Sequence, residues 1–186
     1  MRVSQQEKDR SHARIIASAA RLMREQGMEG ASVNDVMQAA GMSHGGFYKH
    51  FETKEALLLA ALDQAFDEIT DRLGPAASPA DAAALSAGFN DYYLSDGHLA
   101  SPGHGCPIAT VSADIARGAA ALKARFGAGV RRVVALLARG TSGTERARRA
   151  RATRQLAMLA GALMIARASD PDTAREVLAA CRDRTP

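Results

Sequence analysis

Apolar residues recur at spacings of three and four along most of the chain, the mark of helices that each bury one face. Ile15, Ile16, Ala19, Leu22 and Met23 predict a first helix over 5–26, ended by Gly27, with Arg14, Arg21 and Arg24 off its stripe. Leu58, Leu62, Ala65, Phe66, Ile69 and Leu73 predict a long helix over 53–73, opened by a Thr53 cap. A helix of about twenty residues spans about 30 Å, more than a three-helix unit covers. Its start therefore belongs to a head over 1–56, and its end to a second domain over 57–186.

Past Gly74-Pro75, the Ser78-Pro79 pair opens a helix over 79–94, and the Gly- and Pro-containing stretch 95–105 is expected to form a loop or pocket rim. Helices follow over 106–116 and 119–137, the latter with Leu122, Phe126, Val130, Val133, Val134 and Leu137 on one side. After a break at 140–143, one helix carries Leu156, Leu159, Ala160, Leu163 and Met164, and another, beyond Asp170-Pro171, carries Ala174, Val177, Leu178 and Cys181. Abundant alanine, 4% aromatics and no tryptophan favour close-packed helices over a β-sandwich. The expected fold is all-α, with about nine helices. Ala160 and Gly161 would let a second subunit approach closely, so a homodimer through the last two helices is expected.

Residues 32–51 carry the most specific pattern: two short helices joined by a glycine turn, a helix-turn-helix. Ser32 caps the first, with Asp35 three places on and Val36, Met37 and Ala40 inward; Gly41 stops it. Ser43 caps the second, which turns Phe47 and Phe51 inward. Its outer face is left with His44, Gly45, Gly46, Tyr48, Lys49 and His50. Glycines allow close approach to a duplex. Tyr48, His50 and the Ser43 hydroxyl can donate to phosphates, Lys49 supplies charge, and Lys54 adds a further phosphate contact.

Charge modifies this picture. The formal net charge is +4, yet residues 1–56 hold eight Lys and Arg against seven Asp and Glu. DNA affinity must then come from placed contacts and not bulk attraction. The excess lies at 117–154, with eleven basic residues and one acid, Glu145. No apolar run is long enough to span a membrane, and the charged first twenty residues do not read as a signal peptide, so a cytoplasmic protein with no membrane partner is expected. Two cysteines are too few for a disulfide framework.

Taken together, Arg-Glu-Gln-Gly, Ala-Ser-Val-Asn-Asp-Val, Ala-Ala-Gly-Met-Ser, Gly-Gly-Phe-Tyr-Lys-His-Phe and Thr-Lys-Glu-Ala-Leu resemble the TetR family of bacterial transcriptional regulators over residues 10–73. The resemblance implies a three-helix head on a helical domain for ligand binding and dimerisation, and repression relieved by a small-molecule effector. It implies a palindromic double-stranded DNA operator as partner, and no catalytic activity or cofactor. Carried over by position, Ser43, His44, Gly45, Gly46, Tyr48, Lys49, His50 and Lys54 would contact DNA, and Ser32 a phosphate.

Several residues beyond the head carry chemistry. Phe66, Phe89, Tyr92, Tyr93, Cys106, Phe126, Met158 and Met164 are candidates to line an effector pocket. Cys106, just before Pro107, is expected at a helix N-terminus, where free amides and the helix dipole favour thiolate. Residues 104–117 are also similar to the Gly-Cys start of the sixth helix in some TetR-type repressors, including sensors of electrophiles or oxidants. A thiol switch at Cys106 is therefore an alternative, although Arg167 stands where certain such sensors have lysine. A Cys106 nucleophile with His98 or His104 as base is a remoter one. His98, His104 and Cys106 do not have the spacing of a zinc site, and no metal is expected.

Overall fold

A computed structural model describes residues 5–182, which form helices and connecting turns with no strand among the described residues. Helix α1, Gln5–Gly30, runs three residues past its expected end at Gly27. Gly27 nonetheless breaks its geometry, with φ 80° and ψ 175°. The next amide, Met28 N–H, donates to Asp114 Oδ2 at 3.0 Å. That backbone region is essentially closed to L side chains. A Cβ on Gly27 would also lie 2.8 Å from Asp114 Oδ2. Gly27→Ala is expected to lower stability by about 1–2 kcal/mol, read by urea unfolding.

Helix α2, Val33–Ala39, starts as expected: Ser32 Oγ accepts from Asp35 N–H at 3.1 Å. After the turn at Gly41, φ 71°, the second element differs from expectation. It is a 3-10 helix, His44–Lys49, and Ser43 holds the cap position without a side-chain cap bond. Only six residues long, with two adjacent glycines, it keeps its place because Phe47 and Phe51 are pulled inward, their rings 5.9 Å apart. Burying one such ring contributes about 2–3 kcal/mol, which compensates for weak local helicity. Ile15, Ala19 and Met23 of α1, Val36 and Met37 of α2, and Leu57 of the next helix complete that small core.

Helix α3, Lys54–Leu73, is capped by Thr53, which accepts from Ala56 N–H at 3.0 Å. Its buried face runs from Leu57 to Leu73. Buried side chains form one continuous cluster from Ile15 to Leu178, so no gap in packing marks the head's end. Helix α4 is Pro79–Tyr93. The expected loop holds a short helix α5, Asp96–Ala100, capped by Ser95, and a 3-10 turn, Pro102–His104. Helix α6 is Ile108–Arg117 and α7 Ala120–Leu137. Helix α7 runs alongside α3 in the same direction, since Arg125 pairs with Asp63 and Arg132 with Asp67.

Helix α8, Glu145–Arg167, is capped by Thr144, and α9, Pro171–Arg182, packs against it. Leu156, Leu159, Leu163 and Ala166 of α8 point inward. Met164 and Ile165 point outward, 43% and 53% exposed. None of the helices in the described residues is long and apolar enough to cross a membrane.

Candidate nucleic-acid interface and the cluster behind it

The 3-10 helix presents the expected outer face. Tyr48 is 72% exposed although it adjoins buried Phe47, whose ring it meets edge-on at 5.2 Å. The Tyr48 ring is thereby left free to meet an outside partner. His44, Gly45 and Lys49 are exposed beside it, as is Ser43 with its hydroxyl not used as a cap; Gly46 and Lys54 are half-buried. A Cβ on Gly45 would meet nothing within 4 Å. The fold thus gives no packing reason for glycine there, which suits close approach by something outside.

His50 is less free than its neighbours. It is half-buried, 5.8 Å from the His12 ring, and its Nδ1 has no hydrogen-bond partner. Burial, then His12, Lys8 and Lys49, push its pKa down, so it acts as a neutral group. These neighbours reveal something that residue counting missed: Lys8 and His12 of α1 stand close to Lys49 and His50. A nearly neutral head therefore carries a local basic edge. Ser32 is a poorer phosphate donor than expected. Its hydroxyl already donates to Asp35 Oδ2 at 2.5 Å, and the carboxylate would face any incoming anion.

The candidate pocket residues are not brought together. Phe66 and Phe126 pair edge-on at 5.6 Å between α3 and α7. Met158 instead lines a surface cleft with Arg151, Arg154 and Gln155, and Met164 lies on the outside, which removes it from a shared pocket. Phe89, Tyr92, Tyr93 and Cys106 do gather, around His98. His98 is 2% exposed; its Nδ1 donates to the Tyr93 carbonyl at 2.8 Å, which leaves Nε2 to accept from Cys106 N–H at 3.0 Å. Burial above all lowers its pKa to about 4; the Tyr93 bond opposes this, and Arg167 and Arg72 add to it.

Cys106 corrects a second expectation. Tyr93 and the amides of Ile108 and Ala109 do favour its thiolate, but complete burial outweighs them and pushes the thiol's pKa up. A cap-like position is present, but burial works against the thiolate that it would favour. His98 bonds the Cys106 amide and not its sulfur, so these two do not form a nucleophile–base pair. No group of three or more metal-binding side chains occurs among the described residues.

Between the two regions stands Arg24, expected off the buried stripe of α1 yet only 4% exposed. Its Nε donates to Ala20 O at 2.9 Å, and Nη1 reaches both Gly105 O at 3.1 Å and Glu68 Oε2 at 2.8 Å. One side chain thereby ties α1 to α3 and to the segment holding Cys106. Its only local signal was its place at the edge of a wide apolar arc, Ala19, Ala20, Leu22 and Met23. Asp114 adds a second tie, from α6 to Met28. Beside it lies an open cleft of about 750 Å³, lined by Gly27, Met28, Lys54, Leu58, Asp114 and Leu122 among others.

Comparison with known proteins bears on the head first. A model described as bacterial regulatory proteins, tetR family, matches residues 15–61. The transcriptional regulator CymR of Pseudomonas putida is 40% identical over 62 residues, 33% of this chain and 30% of that protein. PksA of Bacillus subtilis is 32% identical over 65 residues, 35% of this chain and 32% of its own length. The match thus spans about a third of these curated relatives. Solved structures extend the likeness of fold to the whole chain. Reduced NemR of E. coli superposes with a TM-score of 0.72 at 20% identity, covering 93% of this chain and 95% of its own. A TetR-family regulator from Cytophaga hutchinsonii gives 0.71 at 21%, covering 98% and 96%.

Proposed function

Because this chain belongs to the tetR family of bacterial regulatory proteins, we propose that it is a homodimeric repressor that a small molecule releases from a palindromic operator. Residues 1–56 form the reading head, and 57–186 the domain for effector binding and dimerisation. The single observation that best supports the reading is Tyr48, held 72% exposed by a 3-10 helix anchored through Phe47 and Phe51. Ser43, His44, Gly45, Gly46, Tyr48, Lys49 and Lys54 contact the duplex, with Lys8 adding phosphate attraction; His50 supports them from a half-buried place. Glycine at 45 lets the backbone approach the groove.

Met164 and Ile165 on α8, and the open space over Gly161, suit a partner copy across the last two helices. Two-fold symmetry then sets two heads on half-sites about one helical turn or more apart. Arg24 is the mechanical link: any shift of the Gly105–Cys106 segment moves a side chain bonded to α1 and α3 at once. The effector acts by favouring the arrangement in which the heads no longer fit successive grooves.

Selection of bound fragments from a random DNA library tests this function. An inverted repeat is expected; fragments without two-fold symmetry, or no enrichment by folded protein, would contradict it. The buried Cys106 thiol gives no support to a thiol switch. Cys106→Ser is expected to keep full operator release by whatever effector releases the parent chain. Loss of release in that variant, with operator affinity intact, would restore the thiol reading.

A further inference from the structure

We propose that a cleft beside the first half of α8 binds a small phosphate monoester, its phosphate held by Arg151 and Arg154 and its organic body resting on Met158. The cleft has a volume of about 440 Å³ and lies between the turn 140–142 and one face of α8. Arg151, Arg154, Gln155 and Met158 share that face because the last three follow the first by three, four and seven residues. Such a volume suits a small metabolite and exceeds what a bare phosphate fills. Arg139, just before the turn, lines a surface with Thr70 and Gly74 at the end of α3, so the cleft sits away from the head. The site stands whether or not its ligand releases DNA.

Charge selects the ligand. Among the described residues no carboxylate lies within 4.0 Å of Arg151 or Arg154, and no acid lines the cleft. The Arg154 side chain makes no hydrogen bond to a described residue, and Arg151 gives only Nη2, to the Ser142 carbonyl. Across 117–154 the one acid is Glu145, which lines a different cleft with Arg148 and Arg149. The two guanidiniums are thus left without a direct counter-ion. A phosphate monoester carries about two negative charges at neutral pH and presents three acceptor oxygens. A planar carboxylate fills one guanidinium fork, whereas a tetrahedral phosphate accepts from two at once.

The walls are fixed before any ligand arrives. Gln155 Nε2 donates to Asn90 Oδ1 at 2.8 Å and to Ser86 Oγ at 3.1 Å, which pins this face of α8 to α4. Thr141 Oγ1 donates to the Ala138 carbonyl at 3.1 Å, and Gly140 packs so closely on α4 that a Cβ there would lie 2.7 Å from Ala83 Cα. The bond from Arg151 to Ser142 then ties turn to helix. Little ordering is left for a ligand to induce, which lowers the cost of binding. Gln155 and Met164 are nine residues apart on α8, about 180° around it. A partner copy seated on Met164 therefore leaves the cleft open.

Titration calorimetry on the full chain with phenyl phosphate, inorganic phosphate, benzoate and phenol tests the site. Phenyl phosphate is expected to bind once per chain, at least tenfold more tightly than benzoate, and phenol to give no binding heat. Arg154→Gln should weaken phenyl phosphate at least tenfold without lowering the melting temperature, because that side chain has no bonded partner among the described residues to lose. Met158→Ala should weaken phenyl phosphate severalfold and leave inorganic phosphate unchanged. Lys123→Gln, exposed on α7, is the control and should bind as the parent does. No binding of phenyl phosphate, equal binding of benzoate, or parental affinity in Arg154→Gln would overturn the proposal. So would a loss in Lys123→Gln as large as that in Arg154→Gln, which would mean attraction by net charge alone. Inorganic phosphate that binds as tightly as phenyl phosphate would overturn the assignment to an ester.

Discussion

A chain carrying both Tyr48→Ala and Lys49→Ala is expected to bind its selected operator about a thousandfold more weakly than the parent. Each side chain makes one contact per head, worth about 1 kcal/mol net, and the dimer doubles both, for a total of about 4 kcal/mol. Both side chains are exposed, so the variant should fold and melt as the parent does. The two losses differ in kind. Lys49→Ala alone should lower the slope of log affinity against log salt by about 2 for the dimer, one counterion per head. Tyr48→Ala should leave that slope nearly unchanged. Lys123→Ala, exposed on α7, is the control and should bind normally. Fluorescence anisotropy at several salt concentrations reads all four proteins, and parental affinity in the double variant would remove the 3-10 helix from the interface.

The second large effect is a loss of stability in mild acid, traced to His98. Its Nε2 accepts the Cys106 amide, so a proton there would set two donors against each other. Burial and two arginines hold its folded pKa at about 4, against an ordinary 6.5. Between these values the unfolded chain carries a proton that the native chain lacks, so stability falls as pH falls. The loss is about 2 kcal/mol by pH 5 and about 3 kcal/mol by pH 4, where native protonation ends the divergence. Urea unfolding at pH 7 and pH 5 should show the parent losing about 2 kcal/mol more than His98→Gln. The variant, lacking the ring's paired bonds, starts lower but follows pH less steeply. Equal losses in the two proteins would mean that His98 titrates normally in the native state.

The helical organisation was legible because much of its information is local. Ser32, Thr53, Ser78 and Thr144 each cap the helix that the apolar spacing places after them. The outer face of the second helix-turn-helix element could be read because Phe47 and Phe51 leave only one side free. Its 3-10 geometry could not. That geometry depends on how two buried rings fix a six-residue segment containing two glycines.

Features that depend on distant partners were hidden for the same reason. Arg24 looked like a surface charge because Gly105, which accepts its hydrogen bond, lies 81 residues away. Helix α5 is five residues long, too short to show a stripe, and rests on its Ser95 cap. At Cys106 the sequence indicated the local amides correctly, but complete burial reverses the sign of their effect. Met164 follows Leu163 on a helix whose buried line is set by Leu156, Leu159 and Leu163, so one residue of rotation, about 100°, carries it outward.

The most direct measurement of the central claim is crosslinking from within the 3-10 helix itself. A photoreactive phenylalanine analogue in place of Tyr48 keeps the exposed ring position, and the same analogue in place of Ala124 on the exposed side of α7 serves as reference. Irradiated with the selected operator, position 48 is expected to label DNA at matching points in both half-sites, while position 124 labels none. Labelling from 124 as efficient as from 48, or none from 48 in a protein that still binds the operator, would contradict the assignment of this face to DNA.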